Sequence, residues 1–324
     1  MSTFPKWASP GGAVSLRVDG AHLVPELVAA GSGTANGDAG YGYVSHSGRV
    51  VPGVWDLVLP GRRRAVESWA DGYAGVRAAE GRGAENAAHY RRLPETSPDH
   101  PFAGHWAARA KSFAVVCDSL GSSPLDIVDV GAGNGWAGAR LAALGHRVAL
   151  VDVAVDELDG LGACHHHGLD LPAARAEFEH LPFESESVDV VLCVASFHYA
   201  ANQTAAVEQA ARVLRPGGRL IIVDSPVHRH LSSGQKMVLE QERRLAQSLE
   251  VAIPPTPGRG FVWKSSTRGE WADAGLSWTW APPNRSARAR LSRLRAYARV
   301  RREPADLLTF TGTKSTFNAI GNAT

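Results

Sequence analysis

Residues 125–138 read Leu125-Asp126-Ile127-Val128-Asp129-Val130-Gly131-Ala132-Gly133-Asn134-Gly135-Trp136-Ala137-Gly138. An apolar, β-branched run ends in a cluster of glycines and passes into a helical pattern that reaches Leu144, with Gly145 suited to the helix end. The reading is a buried strand, a tight turn and a helix N-terminus. The glycines fit two registers. Gly133 to Gly138 matches G-x-G-x-x-G, the dinucleotide fingerprint, while Gly131, Gly133 and Gly135 match G-x-G-x-G behind an acidic residue, Asp129. In either register the missing side chains let backbone approach a ligand at a helix N-terminus. A strand-to-helix turn that binds nothing would show the same glycines, so the loop needs its context.

Working outward, 147–153 is the next strand, and it carries Asp152 near its end. That lies about 20 residues past the loop, where a carboxylate can accept hydrogen bonds from both hydroxyls of a ribose. Further strands are expected near Ala174 and at 188–195, 219–224, 276–281 and 307–311, with an arginine-rich helix over about 286–302 between the last two. Strands alternating with helices give an α/β fold: a seven-stranded, mostly parallel sheet with helices on both faces. This places a domain at 105–324, with a lid-like insertion of helix and proline-rich loop at 231–275. Residues 1–104 form an N-terminal accessory segment, a small β-rich and helical extension. It has short hairpins (Tyr41–Val44, then Arg49–Val51, with turns at Asn36-Gly37 and Ser47-Gly48), and a helical and loop-like stretch from Arg63 to Arg92. Three prolines between Leu93 and Gly104 suggest a linker.

The bulk properties exclude several classes. The chain has 324 residues, more than one compact core usually needs, with 44% hydrophobic and 20% charged residues. No apolar run is long enough to span a bilayer, and residues 1–10 show no basic patch leading into an apolar stretch, so no membrane segment or signal peptide is expected. The three cysteines, Cys117, Cys164 and Cys193, are scattered and make neither a disulfide framework nor a zinc pattern, which fits a reducing, cytoplasmic setting. A net charge of +2 argues against a general nucleic-acid binder. The basic charge is mostly arginine, and Ala and Gly are abundant, which suggests a GC-rich bacterial source. The run His165-His166-His167 lacks an acidic or cysteine partner at ligand spacing, and its rings diverge on a helix, so no metal is expected. In the arginine-rich helix, Leu291, Leu294 and Ala298 share one side, which suits a solvated crossover helix better than an RNA-binding one.

Context selects the register. Asp129-Val130-Gly131-Ala132-Gly133-Asn134-Gly135 resembles motif I of the class I S-adenosylmethionine-dependent methyltransferases. Leu181-Pro182-Phe183, followed by Ser187-Val188-Asp189-Val190-Val191, resembles their adenine-side loop and fourth strand. Leu214-Arg215-Pro216-Gly217-Gly218 resembles the turn before their fifth strand, and Asp152 stands where their ribose-binding acid stands. The likeness covers about residues 106–230. A nicotinamide dehydrogenase would share the glycine loop but not the Leu-Pro-Phe and Arg-Pro-Gly-Gly segments. Gly133–Trp136, Asp159–Ala163, Ala195-Ser196-Phe197-His198-Tyr199 and Asp224-Ser225-Pro226 narrow the resemblance to a bacterial subgroup of the UbiE, or type 11, kind. Val194 departs from the asparagine that subgroup tends to carry.

The resemblance implies a Rossmann-like fold that binds S-adenosylmethionine and releases S-adenosylhomocysteine. Asp129, Gly131, Ala132, Gly133, Gly135 and Trp136 would meet the methionine part, Asp152 the ribose, and Glu177 the adenine amino group. Phe178 and Val194 would complete the pocket, with Glu179 a one-position alternative to Glu177; an ordinary solvated carboxylate is the plain reading of Glu177. The N-terminal hairpins loosely resemble a zinc-ribbon module that has lost its cysteines, a metal-free relic.

Methyl transfer is an in-line displacement, so the protein must orient nucleophile, methyl and sulfur. Trp106, Trp136, Phe197 and Tyr199 could line the sulfonium side, since aromatic faces attract cations; core packing is the alternative for each, and the preferred reading for Phe197. Arg109, one turn after Trp106, could pair with the cofactor carboxylate or sit on a solvated helix face. His198, just past the fourth strand and beside Tyr199, is the candidate general base, or else a structural histidine. The leading expectation is methyl transfer to a small-molecule acceptor in bacterial specialised metabolism. The alternatives are a non-methylating enzyme that cyclises the cofactor and releases methylthioadenosine, an RNA methyltransferase, and a non-catalytic cofactor-binding module.

Overall fold

The structure is a computed structural model that describes residues 4–9, 16–19, 22–25, 43–46, 49–83, 86–281, 297 and 301–316. Its elements in chain order are β1 (Leu16–Asp19), β2 (His22–Pro25), β3 (Tyr43–His46), β4 (Arg49–Asp56), α1 (Arg63–Ala79), α2 (Ala87–Arg92), α3 (Ala103–Leu120), β5 (Asp126–Val130), α4 (Trp136–Ala143), β6 (Arg147–Asp152), β7 (Ala173–Arg175), β8 (Val188–Val194), α5 (Gln203–Val213), β9 (Leu214–Val223), β10 (Pro226–His228), α6 (Leu231–Ser248), β11 (Val262–Trp263), β12 (Leu276–Ala281), β13 (Asp306–Leu307) and β14 (Thr309–Lys314). The expected turns at Asn36-Gly37 and Ser47-Gly48, and most of the arginine-rich helix over 286–302, lie outside the described residues.

The central sheet runs β12-β14-β9-β8-β5-β6-β7-β4-β3, parallel from β9 through β4 and antiparallel at both edges. The seven expected strands are all present, and the sheet has nine. The two extra strands come from the N-terminal segment. Val54, Trp55 and Asp56 of β4 pair with Ala173, Ala174 and Arg175 of β7, so the short edge strand is covered instead of exposed. The expected hairpin strands Tyr41–Val44 and Arg49–Val51 overlap β3 and the start of β4, which pair antiparallel. Pro52-Gly53 hides only the continuation of β4 to Asp56, because it interrupts the apolar run as a strand end would. A small sheet, β11-β10-β13, carries the insertion after β9.

The strand order reverses at β5, which has β8 on one side and β6 on the other. In such sheets the crevice beyond the C-terminal strand ends, at this switch point, is where ligands bind. β5 is buried at all five positions, as a doubly covered parallel strand requires. At the opposite end Arg215 reaches Asp126 at 2.8 Å and Asp189 at 2.7 Å, tying β5, β8 and β9 together. Two apolar clusters cover the faces, one around Phe183, Phe197, Trp271 and Phe310, the other around Tyr90, Trp106, Phe113 and Trp136. Both recruit N-terminal residues. Trp7 stacks on Phe183 at 5.1 Å, and Leu93 in the proline-rich stretch is buried, its carbonyl accepting from Arg140 Nε at 2.7 Å.

Candidate cofactor and acceptor site

The loop after β5 has the conformation its glycines permit. Gly131, Gly133 and Gly135 have φ of 72°, 55° and 75°. A side chain at Gly131 would also collide with Ser196, whose Cβ would lie 2.3 Å from the new Cβ. At Gly133, which lines the cavity, the same atom would meet only Asp159 O, at 3.2 Å. The loop is tied to β6: Gly131 N donates to Val151 O at 2.7 Å and Gly133 N to Asp152 Oδ2 at 2.7 Å, while Asp152 Oδ1 accepts from Ala154 N at 2.8 Å. Asp129 lies beneath. Its Oδ2 accepts from Gly138 N at 3.1 Å at the start of α4, and Oδ1 has no hydrogen-bond partner among the described residues. Burial pushes Asp129 up to about 7 and Asp152 up to about 6.

Beside this loop is a cavity of about 340 Å³, within the usual range for small-ligand pockets. One wall is the sheet side: Gly131, Ala132, Gly133, Asn134, Trp136, Asp152, Val153, Ala154 and Val194, with Glu177, Phe178 and Glu179 from the loop after β7. The facing wall is α1 and the insertion loop, with Arg62, Val66, Trp69, Tyr73 and Arg77 on one side and Pro255, Thr256 and Pro257 on the other. The two parts of that wall are joined, since Trp69 Nε1 donates to Pro255 O at 3.1 Å. Trp69 stacks on Tyr73 at 5.0 Å, and Tyr199 packs edge-on to Tyr73 at 5.5 Å. Both ends of α1 are held by carboxylates that also line the cavity: Arg62 Nη2 lies 2.7 Å from Glu177 Oε1, and Arg77 pairs with Asp159.

The structure brings together most of the residues singled out from the sequence. Gly131, Ala132, Gly133, Trp136, Asp152, Glu177, Phe178, Val194, Trp106, Arg109 and Tyr199 all line the cavity. Arg109 lies over Trp106 at 4.9 Å and has no carboxylate partner among the described residues; burial, then Arg77 and Arg82, press its pKa down. Asp129 and Gly135 do not line the cavity. Asp129 organises the loop from below, and a Cβ at Gly135 would lie 2.6 Å from Cys164 Sγ. Phe197 is a core residue, packed on Trp271 at 5.6 Å and Phe178 at 6.1 Å. His198 is also outside the lining. Its Nδ1 is 3.3 Å from Ser225 Oγ and its ring packs on Tyr199 at 4.2 Å. Burial, with Arg109 nearby, lowers it to about 3. An imidazole so reluctant to take a proton is a poor base at neutral pH, which corrects the sequence expectation. The histidine run is used in packing: His165 and His167 bond Gly162 O and Asn134 O at 2.6 and 2.9 Å, and His166 stacks on Tyr90 at 4.6 Å.

The helical stretch expected from Arg63 is α1, and Asp159 belongs to a segment singled out above, but the sequence reading gave neither a place in the site. Arg62, Val66, Trp69, Tyr73 and Arg77 recur at helical spacing, so a shared face was legible; the wall it meets was not.

Comparison with known proteins agrees with this site. The family described as "Methyltransferase domain" matches residues 128–222, from β5 to β9. The methyltransferase YodH of Bacillus subtilis is 32% identical over 135 residues, which is 41% of this chain and 57% of YodH, so the chain spans little more than half of that relative. A demethylmenaquinone methyltransferase of Mycobacterium sp. (strain KMS) is 30% identical over 166 residues, 50% of this chain and 68% of that protein. Among solved structures, the [4+2]-cyclase SpnF superposes with a TM-score of 0.52 at 14% identity, covering 80% of this chain and 98% of that one, a likeness of fold. Taken with the glycine loop at the switch point and the acids around it, these matches show that the chain belongs to the class I S-adenosylmethionine-dependent methyltransferases.

Proposed function

We propose that this enzyme transfers the methyl group of S-adenosylmethionine to a small, largely apolar acceptor held between the sheet wall and the α1 wall of one cavity, within bacterial specialised metabolism. The observation that carries this reading is the pairing of the two walls. The glycine loop, Asp152 and Glu177 face an aromatic and proline-lined surface across about 340 Å³. The mycobacterial relative is named for a small molecule, demethylmenaquinone.

The residues present fit the cofactor. When bound, S-adenosylmethionine supplies a methyl group activated by a sulfonium. The open outer face of Gly133 lets backbone come close. Asp152 would accept from ribose hydroxyls and Glu177 from the adenine amino group, with Phe178 and Val153 beside the ring; all four line the cavity. Arg109, a half-buried cation that lines the cavity with no carboxylate partner among the described residues, suits the carboxylate of the methionine part. Trp106 and Trp136, in edge contact at 5.7 Å, enclose the same end.

On the acceptor side α1 and residues 255–257 exclude water, and Trp69, Tyr73 and Tyr199 present a rigid surface. Burial raises the Tyr73 hydroxyl well above its ordinary range, so it stays protonated and acts as a hydrogen-bond donor rather than a base. His198 braces Tyr199 from behind. Catalysis by this wall is therefore orientation of an acceptor that arrives with its nucleophile free of a proton.

Product analysis by mass spectrometry tests the proposal. Purified enzyme should release S-adenosylhomocysteine only when an acceptor is present, with a labelled methyl group found on the acceptor. Methylthioadenosine released without acceptor would replace methyl transfer by cofactor cyclisation. Label found on RNA and on no small molecule would replace the acceptor class.

A further inference from the structure

Glu177 is a buried carboxylate, its side chain 8% exposed, and it is held by a residue from outside the matched methyltransferase region. Arg62, at the start of α1, makes a forked contact. Nη2 donates to Oε1 at 2.7 Å, and Nε is shared between Oε1 at 3.2 Å and Oε2 at 3.3 Å. His180 Nδ1 stands 3.9 Å from Oε2. Oε1 therefore takes the short bond, while Oε2 takes one long bond and keeps a lone pair for a donor arriving from the cavity. Both Arg62 and Glu177 line that cavity. A carboxylate taken out of water without a cationic partner turns toward solvent, and Glu177 would then no longer present Oε2 to an amino group in the cavity.

We infer that Arg62 is a positioning residue for base recognition: it holds the Glu177 carboxylate in place as the acceptor for the adenine amino group, so that the selectivity of the sheet side of the site depends on the N-terminal helix. The inference rests on the reading of Glu177 given above. It also joins two halves of the reaction. Arg62 belongs to the helix that carries Trp69 and Tyr73, so the contact that defines the adenine end also seats the acceptor wall. Arg77, paired with Asp159, seats the far end.

The test compares two probes by calorimetry. S-adenosylhomocysteine carries the 6-amino group, and S-inosylhomocysteine carries a 6-oxo group that accepts instead of donating. Wild type should prefer the first. Arg62→Gln should bind S-adenosylhomocysteine roughly tenfold more weakly, the scale of a lost charged hydrogen bond. Binding of S-inosylhomocysteine should hold or rise, because a released Glu177 can turn away from the 6-oxo group. The preference then collapses toward one. Arg62→Lys should restore part of it. Arg64→Gln removes the same charge from an exposed neighbouring position and should change neither affinity.

A parallel loss of both ligands in Arg62→Gln would mean that Arg62 only docks the helix, and the inference fails. Unchanged preference fails it too, and tighter S-adenosylhomocysteine binding would make the ion pair an obstacle. The two readings separate cleanly. A wild type without preference removes Glu177 as the adenine acceptor. A preference lost in Glu177→Gln but kept in Arg62→Gln overturns the role of Arg62 alone.

Discussion

Replacing Gly131 by alanine should damage the fold, whereas the same change at Gly133 should damage mainly ligand binding, although both sit in one loop with positive φ. At Gly131, φ is 72° and the new Cβ would lie 2.3 Å from Ser196 Cβ, 2.7 Å from its Oγ and 3.0 Å from Phe178 Cζ. The left-handed conformation costs about 1 kcal/mol. Forcing a methyl into an occupied space adds about 1–3 kcal/mol. Moving Ser196 also strains its 2.7 Å bond to Val130 O, worth about 1 kcal/mol. The sum, about 3–5 kcal/mol, is a large part of the ~5–15 kcal/mol that holds a typical domain. Ser196 has little room to retreat, because Ala195 before it already has φ of 54° and is held by its amide to Val223 O at 2.8 Å. Gly133→Ala meets one carbonyl at 3.2 Å and should cost only the conformational ~1 kcal/mol. Urea denaturation followed by circular dichroism should lower the Gly131→Ala midpoint by about 1 M or more. Gly133→Ala should stay close to wild type, and calorimetry should show it losing S-adenosylhomocysteine affinity. If Gly131→Ala unfolds with wild-type midpoint, or the two variants behave alike, the close packing of Ser196 against the loop is wrong.

Asp129 is raised to about 7 by burial, so its protonated form is the one the fold favours. Its contribution is greatest below about pH 4 and falls as pH rises through about 7, by at most about 4 kcal/mol. Asp129→Asn should flatten that decline in urea titrations run from pH 4 to 8, and an unchanged slope would contradict the assignment. His198, lowered to about 3, should add no inflection to the rate between pH 6 and 8, and His198→Ala should keep the shape of the wild-type profile. An inflection near the ordinary histidine value that vanishes in the variant would restore His198 as the base. Arg77→Ala strands Asp159 in a buried setting, the two side chains being 15% and 14% exposed. It should cost about 3 kcal/mol or more of stability, with Arg77→Lys recovering part; wild-type stability in the alanine variant would show that α1 is not pinned there.

The switch point was legible because its information is local. Each glycine from Gly131 to Gly135 that the loop needs at positive φ is a glycine in the sequence, and the apolar run before it is short enough only for a buried strand. The ribose-side acid was legible for the same reason, one strand further on. What stayed hidden depends on partners distant in sequence. His198 reads as a candidate site residue from its place after β8, yet Ser225 ties it to the margin of the core, whereas Phe197 packs on Trp271 as its core reading expects. The start of β4 was legible as a hairpin strand, but its continuation was masked by Pro52-Gly53, and only the unpaired edge of β7 explains why it continues. The face of α1 was visible as a stripe, but whether a stripe meets core or ligand is decided by the wall opposite. Asp129 looked like a ligand contact because it precedes the glycines. The backbone N–H of Gly138 claims it from below instead.

The central claim, that the cavity at the sheet's switch point is an S-adenosylmethionine site built around Asp152, is tested most directly by calorimetric titration of S-adenosylhomocysteine into wild type and Asp152→Ala, with NADH as competitor. Asp152 would supply two charge-assisted bonds to the ribose. Wild type should therefore bind one equivalent that NADH does not displace, and the variant should bind on the order of a hundredfold more weakly while keeping its circular dichroism spectrum. Equal affinity in both proteins, or NADH bound in preference, would contradict the account.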